Sequence, residues 1–300
     1  MTNIINNHSG IPFPQISIQD AVNQIKLNYE TAITNGTKAS TIRTSTLIKC
    51  VHNAVKTIFF NRNIHPSLIN PSKKYLQRVI NPPVKQQNRQ RNLADQELQI
   101  AGFLKTKKQD ISIITNNNHI APQILNLNSM MKGYNDVFGT VFTESILSVN
   151  VRSQLSSIGK NFDTLYERTF AESLNLHLRC PNMVLGEVYL IPTKEYDDDA
   201  SKLRNVAFRT IDVGKYIEAF QAINGRADQN DDKYKYERCC LLIVDFDRAV
   251  PKIYNTSAEL KQDGFLHPTS TVSMVGLDFV NFVTDILHVY STRFPANTFI

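Results

Sequence analysis

The sequence has no C-x-x-C pair and no long apolar run. Its four cysteines are Cys50, Cys180, Cys239 and Cys240, and adjacent positions of a strand point to opposite faces. We therefore expect reduced thiols in the core rather than a zinc site. The longest apolar runs, such as residues 239–244, are too short to cross a bilayer.

Several short motifs and targeting signals are also missing. No glycine-rich phosphate loop, G-x-S-x-G elbow or H-E-x-x-H motif occurs, which argues against nucleotide hydrolases, serine hydrolases and zinc proteases. The start, MTNIINNHSG, has neither a basic segment nor an apolar core, so no secretory signal is expected. The composition is typical of a soluble globular protein, for which we expect a cytoplasmic location and no membrane contact.

Positive charge is concentrated in one part of the chain. The net charge of +6 permits a polyanionic partner. Between residues 73 and 108 the only acids are Asp95 and Glu97, against Lys73, Lys74, Arg78, Lys85, Arg89, Arg91, Lys105, Lys107 and Lys108. The proline-containing part of this region, within residues 61–92, is either a solvated linker or a segment that lies along phosphates.

Residues 145–192 carry the clearest structural pattern. Residues 146–154 alternate like a half-buried strand, with Ser148, Asn150, Arg152 and Gln154 on the polar side. A helix with Asn161 as its cap follows, and then the apolar strand 183–191. A strand, a helix and a strand in this order predict neighbouring parallel strands, with the polar row at the rim of a covered sheet.

Around this unit the sequence predicts an α/β fold with a mixed central sheet flanked by helices. We divide the chain into an N-terminal helical region with a basic linker, residues 1–92, and a core, residues 93–300. The elements predicted from the pattern are helices at 18–33, 41–60, 93–104, 213–223 and 277–290, and strands at 111–115 and 239–247; residues 137–142 lead to a further short strand before the central one.

Polar residues near two of these strands form a candidate site. Asp110 stands at the mouth of one strand, Glu97 lies on the helix before it, and Asn150 and Arg152 lie two apart on the central strand. Where such strands splay, oxygen ligands can converge and hold Mg²⁺ beside a phosphodiester. Glu144, just before the central strand, is a second candidate ligand.

This order of elements, α-β-β-β-α-β with Asp110 and Asn150-Val151-Arg152, resembles the catalytic core of the PD-(D/E)xK nucleases, type II restriction endonucleases in particular. The resemblance covers about residues 93–192. It implies that Asp110 matches the family Asp, Glu97 the helical Glu, Asn150 the second acid and Arg152 the Lys. Gln109 stands where the family has Pro.

The resemblance implies roles for these residues. Arginine stays protonated and is no base, so Arg152 would position the scissile phosphate while Asp110 and Glu97 hold the metal. Asn150 would supply an oxygen or position water, and Gln154 would contact the phosphate.

Structural explanations compete with these roles. Asp110 can cap a turn and pair with Lys107 or Lys108, and the polar side of the central strand can be a solvated face. Glu187, inside an apolar run, must be paired if it is covered, and Arg168 or Arg179 is the expected partner.

The resulting hypothesis is a Mg²⁺-dependent, site-specific endonuclease that acts on double-stranded DNA as a homodimer. Residues 119–135 and 225–236 would read base edges, and a cognate DNA methyltransferase would be its partner in the same system. The alternatives are a non-catalytic nucleic-acid-binding or assembly protein on the same scaffold, and a nuclease that acts on RNA.

Overall fold

The computed structural model describes residues 11–72, 75–76, 97–116, 119–126, 128–296 and 299. All six basic residues between 73 and 91, and residues 93–96 of the predicted helix, lie outside the described residues. Within them the fold is mixed α/β, with a five-stranded mixed sheet flanked by helices, as the sequence predicted.

The sheet is formed by β3 (Ile111–Ile113), β6 (Leu147–Ser153), β7 (Val184–Pro192), β10 (Arg238–Asp245) and β11 (Lys252–Tyr254). Their spatial order is β11-β10-β7-β6-β3. The three central strands are parallel and both outer strands are antiparallel to them. Residues 68–70 cover the outer edge of β3, because Asn70 N donates to Ser112 O at 2.7 Å and Ile114 N donates to Leu68 O at 3.1 Å.

Helix α5 (Ile158–His177) connects β6 to β7, and these two strands pair in parallel, which confirms the predicted strand-helix-strand unit. The predicted start of the helix was wrong. Ser157 is the N-terminal cap residue, in a left-handed conformation and with no capping side-chain bond. Glu195 Oε2 instead accepts the first N–H, that of Ile158, at 2.6 Å. A cap supplied by a residue so distant in sequence leaves no local signal.

The central strand is covered on both faces rather than half-buried. Leu147 to Val151 are all buried, and only the last two residues of β6 are partly accessible. The apolar side packs towards α9 (Phe279–Arg293), whose Ile286 and Phe282 leave no space for a side chain at Gly186. The polar side lies against α5, so the predicted polar row is an internal layer.

The N-terminal helices pack onto the sheet. Helix α1 (Ile18–Thr34) agrees with the prediction, while the second predicted helix is divided into α2 (Thr44–Leu47) and α3 (Lys49–Asn61). Their buried side chains belong to the same hydrophobic cluster as those of the sheet. Helix α3 thereby becomes one wall of the cleft described below.

The prediction of a helix over residues 93–104 was wrong in its described part, where β1 (Leu98–Ala101) pairs antiparallel with β2 (Thr106–Gln109). The turn is fixed from a distance, because Asn175 Oδ1 accepts the N–H groups of Leu104 and Lys105 at 2.7 and 3.2 Å. Gly102 lies so close to Asn175 that a Cβ at this position would overlap the amide group of Asn175.

The region before the central strand also differs from expectation. Residues 137–142 were expected to lead to a short strand before the central one, but helix α4 (Thr140–Glu144) stands there instead. It follows a small hairpin of β4 (Gln123–Ile124) and β5 (Asn135–Asp136). The remaining elements are β8 (Lys194–Tyr196), α6 (Asp198–Lys202), β9 (Phe208–Thr210), α7 (Val213–Ala222) and α8 (Ser257–Gln262). Helices α7 and α9 and strand β10 agree with the predictions. In the described part of the chain no helix is both long and apolar enough to span a membrane.

Candidate functional site

A polar cleft of about 400 Å³ lies between α3 and the edge of the sheet at β3 and β6. Asp110 and Arg152 line it, as does Glu97. The structure thus brings three of the predicted site residues into one cavity. The cations of the lining outnumber its two acids, Glu97 and Asp110; they are Lys49, Lys56, Lys107, Arg152 and Arg168.

Asp110 is held in place by backbone hydrogen bonds. Its Oδ2 accepts the N–H of Val151 at 2.8 Å, and its own carbonyl oxygen accepts from Asn70 Nδ2 at 2.9 Å. The carboxylate therefore bridges to the central strand. Lys107 is not the ion-pair partner of Asp110, because the ammonium group of Lys107 pairs with Glu172.

Strand register places two further oxygen-bearing side chains side by side near Asp110. Asp110 lies in the bend between β2 and β3, directly before Ile111, which pairs with Val149 on β6. Asn150, the next residue of β6, pairs directly with Glu187 on β7, and paired residues share one face of a sheet. Asn150 and Glu187 therefore lie together at the covered centre of the sheet, while Asp110 lines the cleft.

Arg152 lies inside a network of ion pairs rather than at a free surface. Its guanidinium contacts Glu172, donates to Thr169 Oγ1 at 2.8 Å, and lies 3.4 Å from Glu187 Oε1. Burial alone would lower its pKa, but Glu187 and other neighbouring groups raise it above the usual value. Arg152 is therefore a fixed positive charge at the floor of the cleft.

Glu187 is fully buried, and neither of its carboxylate oxygens has a hydrogen-bond partner among the described residues. Asn150 Oδ1 is also buried without such a partner. Burial raises the pKa of Glu187 from 4.5 to about 7, against the opposing effect of Arg152. The expected partners, Arg168 and Arg179, are engaged elsewhere: Arg168 pairs with Glu172, and Arg179 with Asp136.

Two further groups in the cleft have altered proton affinities. Burial, together with the charges of Arg152 and Arg168, lowers the pKa of Lys107 to about 8. Burial lowers the pKa of His52 on α3, although the charge of Asp110 opposes the change. His52 Nε2 is buried without a hydrogen bond to any described residue.

Gln154 and Glu144 do not join this cleft. Gln154 Nε2 donates to the carbonyl groups of Ser156 and Ser157 at 3.2 and 3.0 Å, in a neighbouring cavity. Glu144 lies at the opposite end of β6, where its Oε1 accepts the N–H of Asn182 at 2.8 Å. The metal-ligand hypothesis for Glu144 is therefore not supported by its position.

One of the predicted base-reading segments contains a residue that is unavailable for contact. Arg226, in residues 225–236, is fully buried and pairs with Glu237 at 2.8 Å. The polar side chains around it, among them Asp228 and Lys233, are those that remain at the surface of this loop.

The oxygen donors in and behind the cleft are of the kind that a hard cation takes. Over the described ranges no group of three or more His, Cys, Asp or Glu side chains is arranged to hold a metal ion. Asp110 lines the cleft, whereas Asn150 and Glu187 are buried outside its lining, and Asn150 Oδ1 and both Glu187 oxygens have no hydrogen-bond partner among the described residues. Mg²⁺ is commonly bound by one or two carboxylates, with water completing its shell. The chemistry of these donors, two carboxylates and an amide oxygen, therefore fits a magnesium ion.

Comparison of the chain with protein families, with characterised proteins and with solved structures gives no match. The fold and site thus define an α/β protein with a polar, cation-lined cleft. Sequence reasoning missed His52 and assigned Glu187 a structural role. The signal for Glu187 was its charge within the run MVLGEVYLI; His52 had no comparable signal, because α3 is far from Asp110 in sequence.

Proposed function

We propose that this protein is a Mg²⁺-dependent nuclease whose active site is the cleft at Asp110. The observation that carries the proposal is Asp110 in a cation-lined cleft, with the buried oxygens of Asn150 and Glu187 behind it and the fixed charge of Arg152 beside Glu187. Hydrolysis of a phosphodiester is accelerated by a cation bound at the phosphate oxygens and by an activated water molecule. Active sites for this reaction place carboxylates and basic residues together.

Each of these side chains has its own role in the proposed reaction. Asp110, Asn150 and Glu187 would hold the ion, which supplies Lewis-acid activation when bound. Lys49 and Arg168, exposed on opposite walls, attract and orient the phosphate backbone. Arg152 supports the developing negative charge on the phosphate. His52 lines the same cleft, close enough to Asp110 for the charge of that carboxylate to act on its ring.

Non-catalytic binding of nucleic acid is the second candidate function. It is favoured by the enclosure of Arg152 between Glu172, Thr169 and Glu187, which leaves its guanidinium committed to the protein. Duplex DNA as the substrate, the homodimer and the methyltransferase partner stay predictions.

Incubation of purified protein with mixed-sequence plasmid and single-stranded DNA in Mg²⁺ separates the two functions. Cleavage that Asp110→Asn reduces about 100-fold or more supports the nuclease, since a metal ligand contributes several kcal/mol to such a reaction. Asp247→Asn is the matched control, because Asp247 follows β10, pairs with Lys194 and lies outside the cleft lining. A salt-sensitive gel shift without cutting by the wild type would support binding alone.

A further inference from the structure

A second polar cavity, of about 420 Å³, adjoins the cleft. Thr44, at the start of α2, and Ser153, at the end of β6, line both cavities. The two cavities therefore meet at Thr44 and Ser153, with Asp110 on one side and the first turn of α5 on the other. We call this pair of adjoining cavities the groove.

The second cavity is suited to a phosphate and to polar base edges. Its lining has no acidic side chain and is rich in hydroxyl and amide groups, with Lys160 as its cation. Gln154 is held to the carbonyl groups of Ser156 and Ser157, which fixes the shape of this wall. The first turn of α5 borders the cavity, but its first N–H, that of Ile158, is already bound by the Glu195 carboxylate, so Lys160 is the group on this wall that would attract a phosphate.

The dimensions of the groove restrict what can reach its floor. Cavities of about 300 to 1,000 Å³ enclose a molecule of drug size, so each of these holds on the order of one nucleotide. The groups beside the scissile phosphate are recessed: the side chain of Arg152 is 13% exposed, and Glu187 is fully buried. A flexible single strand can lower one phosphate into such a recess, whereas the stiffness of a duplex restricts how far one of its phosphates can enter.

We propose that the groove binds a single-stranded polynucleotide, with one nucleotide above Asp110 and Arg152 and the adjoining nucleotide above Ser153 and Lys160. This inference rests on the proposed nuclease function and names its substrate as a single strand, in place of the duplex that the sequence resemblance implied. Comparison of oligouridylate with oligothymidylate shows whether the groove prefers RNA or DNA.

Fluorescence anisotropy without Mg²⁺ tests the strand preference while preventing cleavage. The probes are labelled oligothymidylate, oligouridylate and a blunt hairpin duplex of about 12 nucleotides each, at matched salt. The wild type should bind a single strand at least about tenfold more tightly than the duplex. Equal or tighter duplex binding overturns the inference and leaves the nuclease proposal standing, whereas no binding to any of the three probes overturns both.

Two variants test the path of the strand. Ser153→Trp places a large side chain where the cavities join, and should weaken single-strand binding about tenfold or more; Ser291→Trp, exposed on α9, is the matched control. Lys160→Gln should weaken longer oligonucleotides more than a dinucleotide, while Lys261→Gln on α8 should have no effect. Circular dichroism verifies folding, and if Ser153→Trp does not fold, Lys160→Gln decides. Unchanged affinity in the folded variants places the strand elsewhere and overturns the inference.

Discussion

Replacement of Glu187 by glutamine should stabilise the protein at about pH 8. Burial raises the pKa of this carboxyl from 4.5 to about 7, and its oxygens have no hydrogen-bond partner among the described residues. Because each pKa unit corresponds to about 1.4 kcal/mol, ionisation costs the folded state about 3 kcal/mol relative to the unfolded chain. Glutamine has the same shape as the neutral acid and avoids this cost, while Arg152 keeps its contacts with Glu172 and Thr169.

The effect has a defined pH window. A folded-state pKa above the unfolded value means that the folded protein binds this proton more tightly. The resulting stability is fully present below about pH 4.5 and is lost as the pH rises through about 7. The free energy of unfolding of Glu187→Gln should therefore exceed that of the wild type by about 3 kcal/mol near pH 8, and by little near pH 4.5.

Glu237→Gln is the matched control, and its expected effect on the free energy of unfolding has the opposite sign. Glu237 is buried as completely, and burial would raise its pKa, yet His177, Arg293 and the N–H of Leu185 lower it to about 2. The stability that Glu237 contributes is present above pH 4.5 and is lost as the pH falls towards 2. At pH 8 the free energy of unfolding of Glu237→Gln should therefore be about 3 kcal/mol lower than that of the wild type.

Urea denaturation over this pH range measures both variants. Added Mg²⁺ at about 100 times its dissociation constant should raise wild-type stability by about 2.7 kcal/mol and that of Glu187→Gln by less, if Glu187 is a ligand. A loss of stability in Glu187→Gln at pH 8 similar to that of Glu237→Gln would refute the reasoning. It would mean that the ion pair with Arg152 outweighs the cost of burial.

Two further predictions concern the cleft wall and the start of α5. Lys49→Gln, at an exposed position of the cleft, should reduce the slope of log affinity for nucleic acid against log salt concentration by about 0.7 to 0.9. Lys261→Gln is the control and should leave this slope unchanged. An unchanged slope in Lys49→Gln would show that the phosphates bind elsewhere. Glu195→Ala removes the acceptor of the Ile158 N–H and should cost about 1 kcal/mol in urea denaturation, whereas Glu218→Ala, exposed on α7, should cost little. Equal urea midpoints for these two variants would show that the Glu195 carboxylate does not stabilise α5.

Local patterns predicted much of the central unit but not where its polar residues lie. Alternation in β6 indicated that Asn150 and Arg152 share a face, and the structure agrees. The alternation contained no information on what covers that face. Helix α5 covers it through Glu172 and Thr169, so a predicted solvent rim became a layer of buried ion pairs.

The errors in secondary structure have the same origin. The pattern at residues 93–104 fits a helix, yet Asn175 on α5 fixes a turn at Leu104 and Lys105 and leaves Leu98–Ala101 to pair as a strand. The start of α5 likewise depends on Glu195. Contacts of this kind join residues that are far apart in sequence, and propensity within a short window does not include them.

The sequence by itself determined the class of fold, the parallel pair β6 and β7, and the proximity of Asp110 to the central strand, because hydrophobic periodicity and chain connectivity are local properties. Only the tertiary structure decided that His52 shares the cleft, that Glu187 is paired with Arg152, and that Glu144 and Gln154 lie elsewhere. Those outcomes depend on strand register and helix packing, which bring side chains together irrespective of their separation along the chain.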